Sequence, residues 1–183
     1  MKGLIPFGGL VITSGSPTLA LTTTPTLFNI WQALAPDSTL GDASVRPDLV
    51  NNRIMAGIPG TYKFNYSISG QTGTAGIMTF QLRKNAATLI PGTACSQSWA
   101  GSSADNVISF SGLFVIAPGD YSATQSQPNF PDPVQGAQAF YPSFAGAGGA
   151  PHSQCPIDMV VSVGTSTATL TIVTANWTIE REG

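Results

Sequence analysis

The sequence predicts an all-β sandwich, and three observations carry that expectation. Strand-type alternation of apolar and polar residues recurs along the chain, helical periodicity is almost absent, and Thr, Gly, Ser and Pro abound while charge is scarce. The 183 residues suit a single domain with a substantial core. Only 9% of them are charged, against about a quarter in ordinary soluble domains. With 42% hydrophobic residues, this is not the composition of a disordered chain.

In chain order, Met1 to about Pro25 reads as an irregular N-terminal arm, leaving residues 26–183 as the domain proper. The arm carries Leu4, Ile5, Phe7, Leu10, Val11 and Ile12, which are costly to leave in water. Pro6, Gly8 and Gly9 interrupt its apolar run, and no convincing small-residue cleavage site closes it, so no cleaved signal peptide is expected. The best helical candidate, "LFNIWQALAP" from Leu27 to Pro36, is short and enclosed by prolines. "GTYKFNYSISG" is the clearest strand, with Tyr62, Phe64, Tyr66 and Ile68 on one face and Lys63, Asn65, Ser67 and Ser69 on the other. "GIMTFQLRKN" follows, alternating Met78, Phe80 and Leu82 with Thr79, Gln81 and Arg83. A turn comes next, then a short strand expected over Thr93 to Trp99.

"NVISFSGLFVIAPGD" sets Ile108, Phe110, Phe114 and Ile116 on one side, leaves a gap there at Gly112, and adds Leu113 and Val115 to the other. Its Gly-Asp corner is complete without catalytic duty, since Pro118 presets φ, Gly119 tolerates positive φ and Asp120 can accept from turn N–H groups. A strand is expected to resume at Tyr121 to Gln125. Two late strands are "PIDMVVSVG" and "TATLTIVTANWTIERE". In the second, Leu170 and Ile172 share one parity while Val173, Ala175, Trp177 and Ile179 share the other. Either a bulge flips the register near Ile172, or the strand is buried on both faces. Between these blocks, Pro128 to Pro156 forms a long Gly/Pro-rich loop bearing Phe130, Phe140, Tyr141 and Phe144. These four aromatics exceed what a spacer needs and point to contact with a partner.

The same residues argue against most chemistry. Net charge is −2 and the seven Lys and Arg are dispersed, so no basic stripe suggests nucleic acid. No stretch has the length of a membrane-spanning helix, and no membrane partner is expected. Phosphate-loop, dinucleotide and serine-elbow motifs are missing. The one histidine, His152, stands three residues before Cys155, and no further His or Cys pair completes a metal site. Asp37, Asp42 and Asp48 are calcium candidates in principle, but at such spacing aspartates more often close turns. Sequons at Asn65-Tyr66-Ser67 and Asn176-Trp177-Thr178 lie in predicted strands and carry little weight. Cys95 and Cys155 are open to pairing or to remaining thiols. No cofactor, metal or enzymatic activity is expected. A weakly charged surface is cheap to desolvate, which suits a protein that assembles.

Several of these segments resemble a known family in order and spacing. "IMAGIPGTYKFNYSISG" resembles the G-x-Y-x-F strand of C1q/TNF-like jelly rolls, and "FQLRKNAATLIPG" is similar to that family's strand and lysine-asparagine turn. "LFVIAPGDY" resembles its strand-into-Gly-Asp corner, and the strand ending near Trp177 and Ile179 its closing strand. The likeness covers about Asn52 to Arg181. It implies a two-sheet antiparallel jelly-roll sandwich that forms homotrimers, with Val173, Ala175, Trp177 and Ile179 facing neighbours across the axis. A domain of this kind with very low charge and an irregular apolar arm resembles bacteriophage virion proteins. The leading expectation is a capsid decoration (cement) protein on the capsid surface, bound to the major capsid protein through the arm. The alternative is a trimeric receptor-binding or tail-fibre head that meets a host surface glycan or protein.

Overall fold

The computed structural model describes residues 7–36, 38, 45–101, 105–121, 154–164 and 167–182. Its strands are β1 (Phe7–Ile12), β2 (Thr18–Leu21), β3 (Thr26–Leu27), β4 (Ala33–Leu34), β5 (Val45–Asp48), β6 (Arg53–Ala56) and β7 (Gly60–Thr72). They continue with β8 (Gly76–Lys84), β9 (Thr88–Leu89), β10 (Cys95–Trp99), β11 (Asn106–Ile116), β12 (Cys155–Val163) and β13 (Ala168–Arg181). All pairings are antiparallel and fall into two sheets. The front sheet runs β11-β7-β13-β1-β4, with β2 also on β13; the back sheet runs β10-β8-β12-β6-β5, with β3 on β12 and β9 on β8. This is the expected two-layer sandwich, with neighbours brought together from distant parts of the chain.

Alternation fills the space between the layers. Tyr62, Phe64, Tyr66 and Ile68 all point inward and are fully buried, against Phe80 and Leu82 of β8 and Trp177 and Ile179 of β13. The rings interlock: Phe64 contacts Tyr66, Phe110 and Phe114, while Phe80 contacts Trp99. The gap at Gly112 has a cause. Gly112 pairs with Phe64 across the strands, and a Cβ there would lie 3.0 Å from the Phe64 ring. The missing side chain makes room for the aromatic of the adjacent strand.

Several expectations are corrected. Residues 7–25 are not an arm. β1 pairs with β13 from Phe7–Glu180 to Ile12–Ala175, β2 pairs with β13 further along, and Leu10, Val11 and Ile12 are buried. Leu10 and Ile12 belong to the core between the layers, which is why they were costly to leave in water. Leu4 and Ile5 lie outside the described residues. Ala175, Trp177 and Ile179 belong to the chain's own core and offer no surface to a neighbour. A bulge between Ile172 and Thr174 explains the double parity: it turns Leu170 and Ile172 inward on one side and Ala175, Trp177 and Ile179 inward on the other. Val173, at the bulge, is left 38% exposed.

The strand expected from Thr93 begins at Cys95, because Thr93 is buried and bonded to Ile90 and Leu82. Of the strand expected over Tyr121 to Gln125, Tyr121 is not in a strand and follows a 3-10 turn at Pro118–Asp120, and residues 122–125 lie outside the described residues. Gly119 is not among the positive-φ glycines, so that corner does not use its conformational freedom. The short, proline-enclosed candidate Leu27–Pro36 forms no helix: Leu27 ends β3, and Ala33–Leu34 is β4.

Candidate interaction face

Charge is distributed unequally over the two outer faces, and register shows how. On the back sheet, Asp48, Arg53, Asp158 and Arg83 occupy one cross-strand row over β5, β6, β12 and β8. The Arg53 Nε lies 2.9 Å from Asp48 Oδ2, and Arg83 grips Asp158 with two bonds of 2.8 and 3.0 Å. Burial pushes the Asp158 carboxyl up, with Arg83 and then Arg53 opposing that shift. Arg46 lies on the same face, opposite Met55. Asp48, a calcium candidate from sequence, is therefore engaged by Arg53 and by Asn51, whose Nδ2 donates at 2.8 Å. No cluster of three potential metal ligands occurs among the described residues; Asp37, Asp42 and His152 lie outside them.

The front sheet presents the opposite character. Its outward residues fall into transverse rows: Leu113–Lys63–Glu180–Phe7, then Ser111–Asn65–Thr178–Gly9, then Ser109–Ser67–Asn176–Val11, then Val107–Ser69–Thr174. Lys63 and Glu180 are the charged members and are direct cross-strand partners. The two middle rows are small and uncharged. Beside the bulge they deepen into a shallow groove lined by Val11, Thr13, Ser67, Thr174 and Asn176. Ser69 and Thr174 are joined by a hydroxyl bond of 2.8 Å at its margin. Along the outer strand, Val107, Leu113 and Val115 are 56%, 60% and 63% exposed. Three aliphatic side chains on one strand, left in water on an almost uncharged sheet, are the main unexplained surface feature of the described residues.

The sequence signal for this face was the outward pair Leu113 and Val115, whereas the expected interface residues turned inward. Phe130, Phe140, Tyr141 and Phe144 lie outside the described residues. Every described aromatic is buried or half-buried. The two sequon asparagines, Asn65 and Asn176, sit exposed in the middle rows of the front face.

At one end of the sandwich the Gly-Asp corner is tied to the turn after β8. Asp120 Oδ2 accepts the Ala117 N–H at 2.8 Å and Oδ1 accepts from Lys84 Nζ at 2.6 Å, while Asn85 Nδ2 donates to the Asp120 carbonyl at 2.7 Å. Burial opposes ionisation of Asp120, but Lys84 and the Ala117 N–H outweigh it and hold the carboxyl below its ordinary value. Two of the four segments that carried the family resemblance are thus bonded to each other. Nearby, Cys155 is fully buried and its thiol is pushed up to about 12, mainly by burial and then by Asp120.

The sequence matches no protein-family model and no curated protein. Among solved structures, the chain is similar to the Eiger TNF of S. frugiperda, at 7% identity and a TM-score of 0.55, over 97% of this chain and 94% of that one. The vertex protein P5 of PRD1 aligns more loosely, at 11% identity and a TM-score of 0.45, over 99% of this chain and all of that one. The fold assignment rests on the first likeness together with the strand order and two-sheet packing described above. The chain has a C1q/TNF-like jelly-roll fold.

Proposed function

We propose that this protein is a non-enzymatic structural component of a virion, a homotrimeric decoration protein that stabilises a phage head by binding between capsomers. The observation that carries the reading is the contrast between the two outer faces. The charged row of the back sheet is paired and largely buried, while the front sheet exposes Val107, Leu113 and Val115 beside rows of Ser, Thr, Asn and Gly, with the Lys63–Glu180 pair as the charge in those rows. Burying such a face against another copy removes apolar area from water and strands almost no charge. Trimerisation through the front sheet then presents three copies of a weaker shell contact, which act together at high effective concentration. In this reading the assembly surface is formed by the outward residues of β11, β7 and β13, and not by the inward residues of β13.

Sedimentation velocity of the full chain at micromolar concentration tests the first step, with a trimer expected. Leu113→Asp combined with Val115→Asp is expected to give a folded monomer. A monodisperse native monomer sinks the proposal. Binding of the trimer to undecorated heads, followed by a rise in their thermal stability, tests the second.

The aromatic segment supports an alternative, a trimeric receptor-binding or tail-fibre head. The described surface offers no exposed aromatic, so stacking on a host glycan would fall to Phe130, Phe140, Tyr141 and Phe144.

A further inference from the structure

β11 ends the front sheet, and among the described residues no backbone group bonds to Val107–Ile116 from the side away from β7. Parity fixes which groups face that open side. Glu182 donates its N–H to the Thr61 carbonyl at 3.0 Å, extending the register in which Arg181 of β13 pairs with Tyr62 of β7. Thr61 and the odd-numbered residues of β7 after it therefore turn their backbone groups to β13. Tyr62, Phe64, Tyr66 and Ile68 turn theirs to β11, where their partners are Phe114, Gly112, Phe110 and Ile108. The N–H and C=O groups of Val107, Ser109, Ser111, Leu113 and Val115 are left facing the open edge.

Edges of this length are normally blunted by Lys, Pro or a bulge. Asn106–Ile116 has no charged residue and no proline, and its register with β7 is unbroken. Its order of residues also suits a copy of itself. An antiparallel pair centred on Ser111 sets Val107 against Val115, Ser109 against Leu113 and Ser111 against Ser111, each across the two copies. Every edge-facing residue then meets another, and since each such pair exchanges two bonds, the contact holds about ten. The exposed aliphatics Val107 and Val115 cover each other. On the inward side, half-buried Phe110 falls opposite Gly112, which has no side chain to meet its ring. With no charge on the strand, two copies meet without repulsion.

We infer that the edge of β11 is a docking site for β11 of a second copy, related by a twofold axis at Ser111, which joins the two front sheets into one. The pairing runs in the plane of the sheet, whereas the outward side chains stand normal to it. It does not rest on the trimer proposed above; where that trimer forms, the pairing links one trimer to the next. A single strand pair buries less than the roughly 1,600 Å² of a standard stable interface, so the association is weak and concentration-dependent.

Disulfide trapping in a Cys95→Ser background tests the register. Ser111→Cys is expected to give a covalent dimer under mild oxidation, because facing Cα atoms in a hydrogen-bonded pair lie about 5.5 Å apart, within disulfide reach. Ser109→Cys alone is expected to give none, since its own copy is displaced by four residues, about 14 Å. Mixing Ser109→Cys with Leu113→Cys is expected to restore the dimer. In sedimentation velocity up to near-millimolar concentration, the full chain is expected to add species larger than its basic oligomer. Ser111→Pro removes an edge-facing N–H and keeps the bonds to β7, so it is expected to leave the basic oligomer alone; Ser109→Lys serves where the proline variant does not fold. A trimer with no larger species and no register-specific disulfide overturns this inference and leaves the trimer standing. A monomer–dimer series does the reverse. Slow hydrogen exchange at Ser109, Ser111 and Leu113 in dilute protein would mean that the chain covers its own edge, and also overturns it.

Discussion

Lys84 Nζ and Asp120 Oδ1 lie 2.6 Å apart, which joins the end of β8 in the back sheet to the corner that follows β11 in the front sheet. The contact closes one end of the sandwich across its two layers. It also has a defined pH dependence. Asp120 is held below its ordinary value of 3.8, so the folded chain binds its proton less readily than the unfolded one. Its stabilisation is present above that value and fades as pH falls through the lower folded value. Asp120→Asn is expected to cost about 1.5–3 kcal/mol at neutral pH and to flatten the acid limb of a stability–pH curve. An unaltered limb in urea denaturation at pH 2–5 counts against the contact.

Asp158 works in the other direction. Burial raises its carboxyl despite Arg83 and Arg53, so its contribution grows as pH falls and is lost as pH rises through the raised folded value. Removing one partner strands a buried charge: Asp158→Ala is expected to destabilise by about 3 kcal/mol at neutral pH. Replacing both partners, Asp158→Leu with Arg83→Met, is expected to cost less than the single change. Denaturant midpoints of the two variants decide the order.

Gly112→Ala places a methyl group 3.0 Å from the Phe64 ring. Overpacking of this kind costs about 1–3 kcal/mol. The companion change Phe64→Leu is expected to recover part of the loss when combined with it. Thermal melts of the two single variants and the double variant measure that coupling.

The cysteines are separate thiols. Cys95 pairs with Phe80, which pairs with Val161, six residues along β12 from Cys155. That offset alone is about 20 Å. Two thiols are expected to titrate in the denatured protein. In the native state Cys95, which is partly exposed, should react first, and Cys155 only slowly because of its burial and raised value. Rapid native reaction of both would contradict the buried position of Cys155.

The two functional readings separate on the aromatic segment. With Phe140, Tyr141 and Phe144 all changed to Ala, a decoration protein whose shell contact lies elsewhere is expected to bind heads within about twofold of the wild-type level. Loss of host-cell adsorption with normal head stability would favour the receptor reading. Shortening the N-terminus is not a clean probe of shell contact, because deleting residues 2–20 removes β1 and with it Leu10 and Ile12 from the core.

The sequence alone determined the fold class, the inward face of β7, β8 and β11, and the acceptor role of Asp120 in the Gly-Asp corner. Each of these follows from a local rule: side chains alternate with a period of two, and turn residues act on their immediate neighbours. Tertiary structure alone decided that residues 7–12 form a strand, because the partner that makes them one, Phe7–Ile12 against Ala175–Glu180, lies more than 160 residues away. It also decided which parity of β13 faces inward, since one extra residue at the bulge reverses every side chain beyond it. The row Asp48–Arg53–Asp158–Arg83 and the bond from Asn85 to Asp120 are of the same kind. Their members are scattered in sequence and become neighbours only when long-range strand pairing fixes the register.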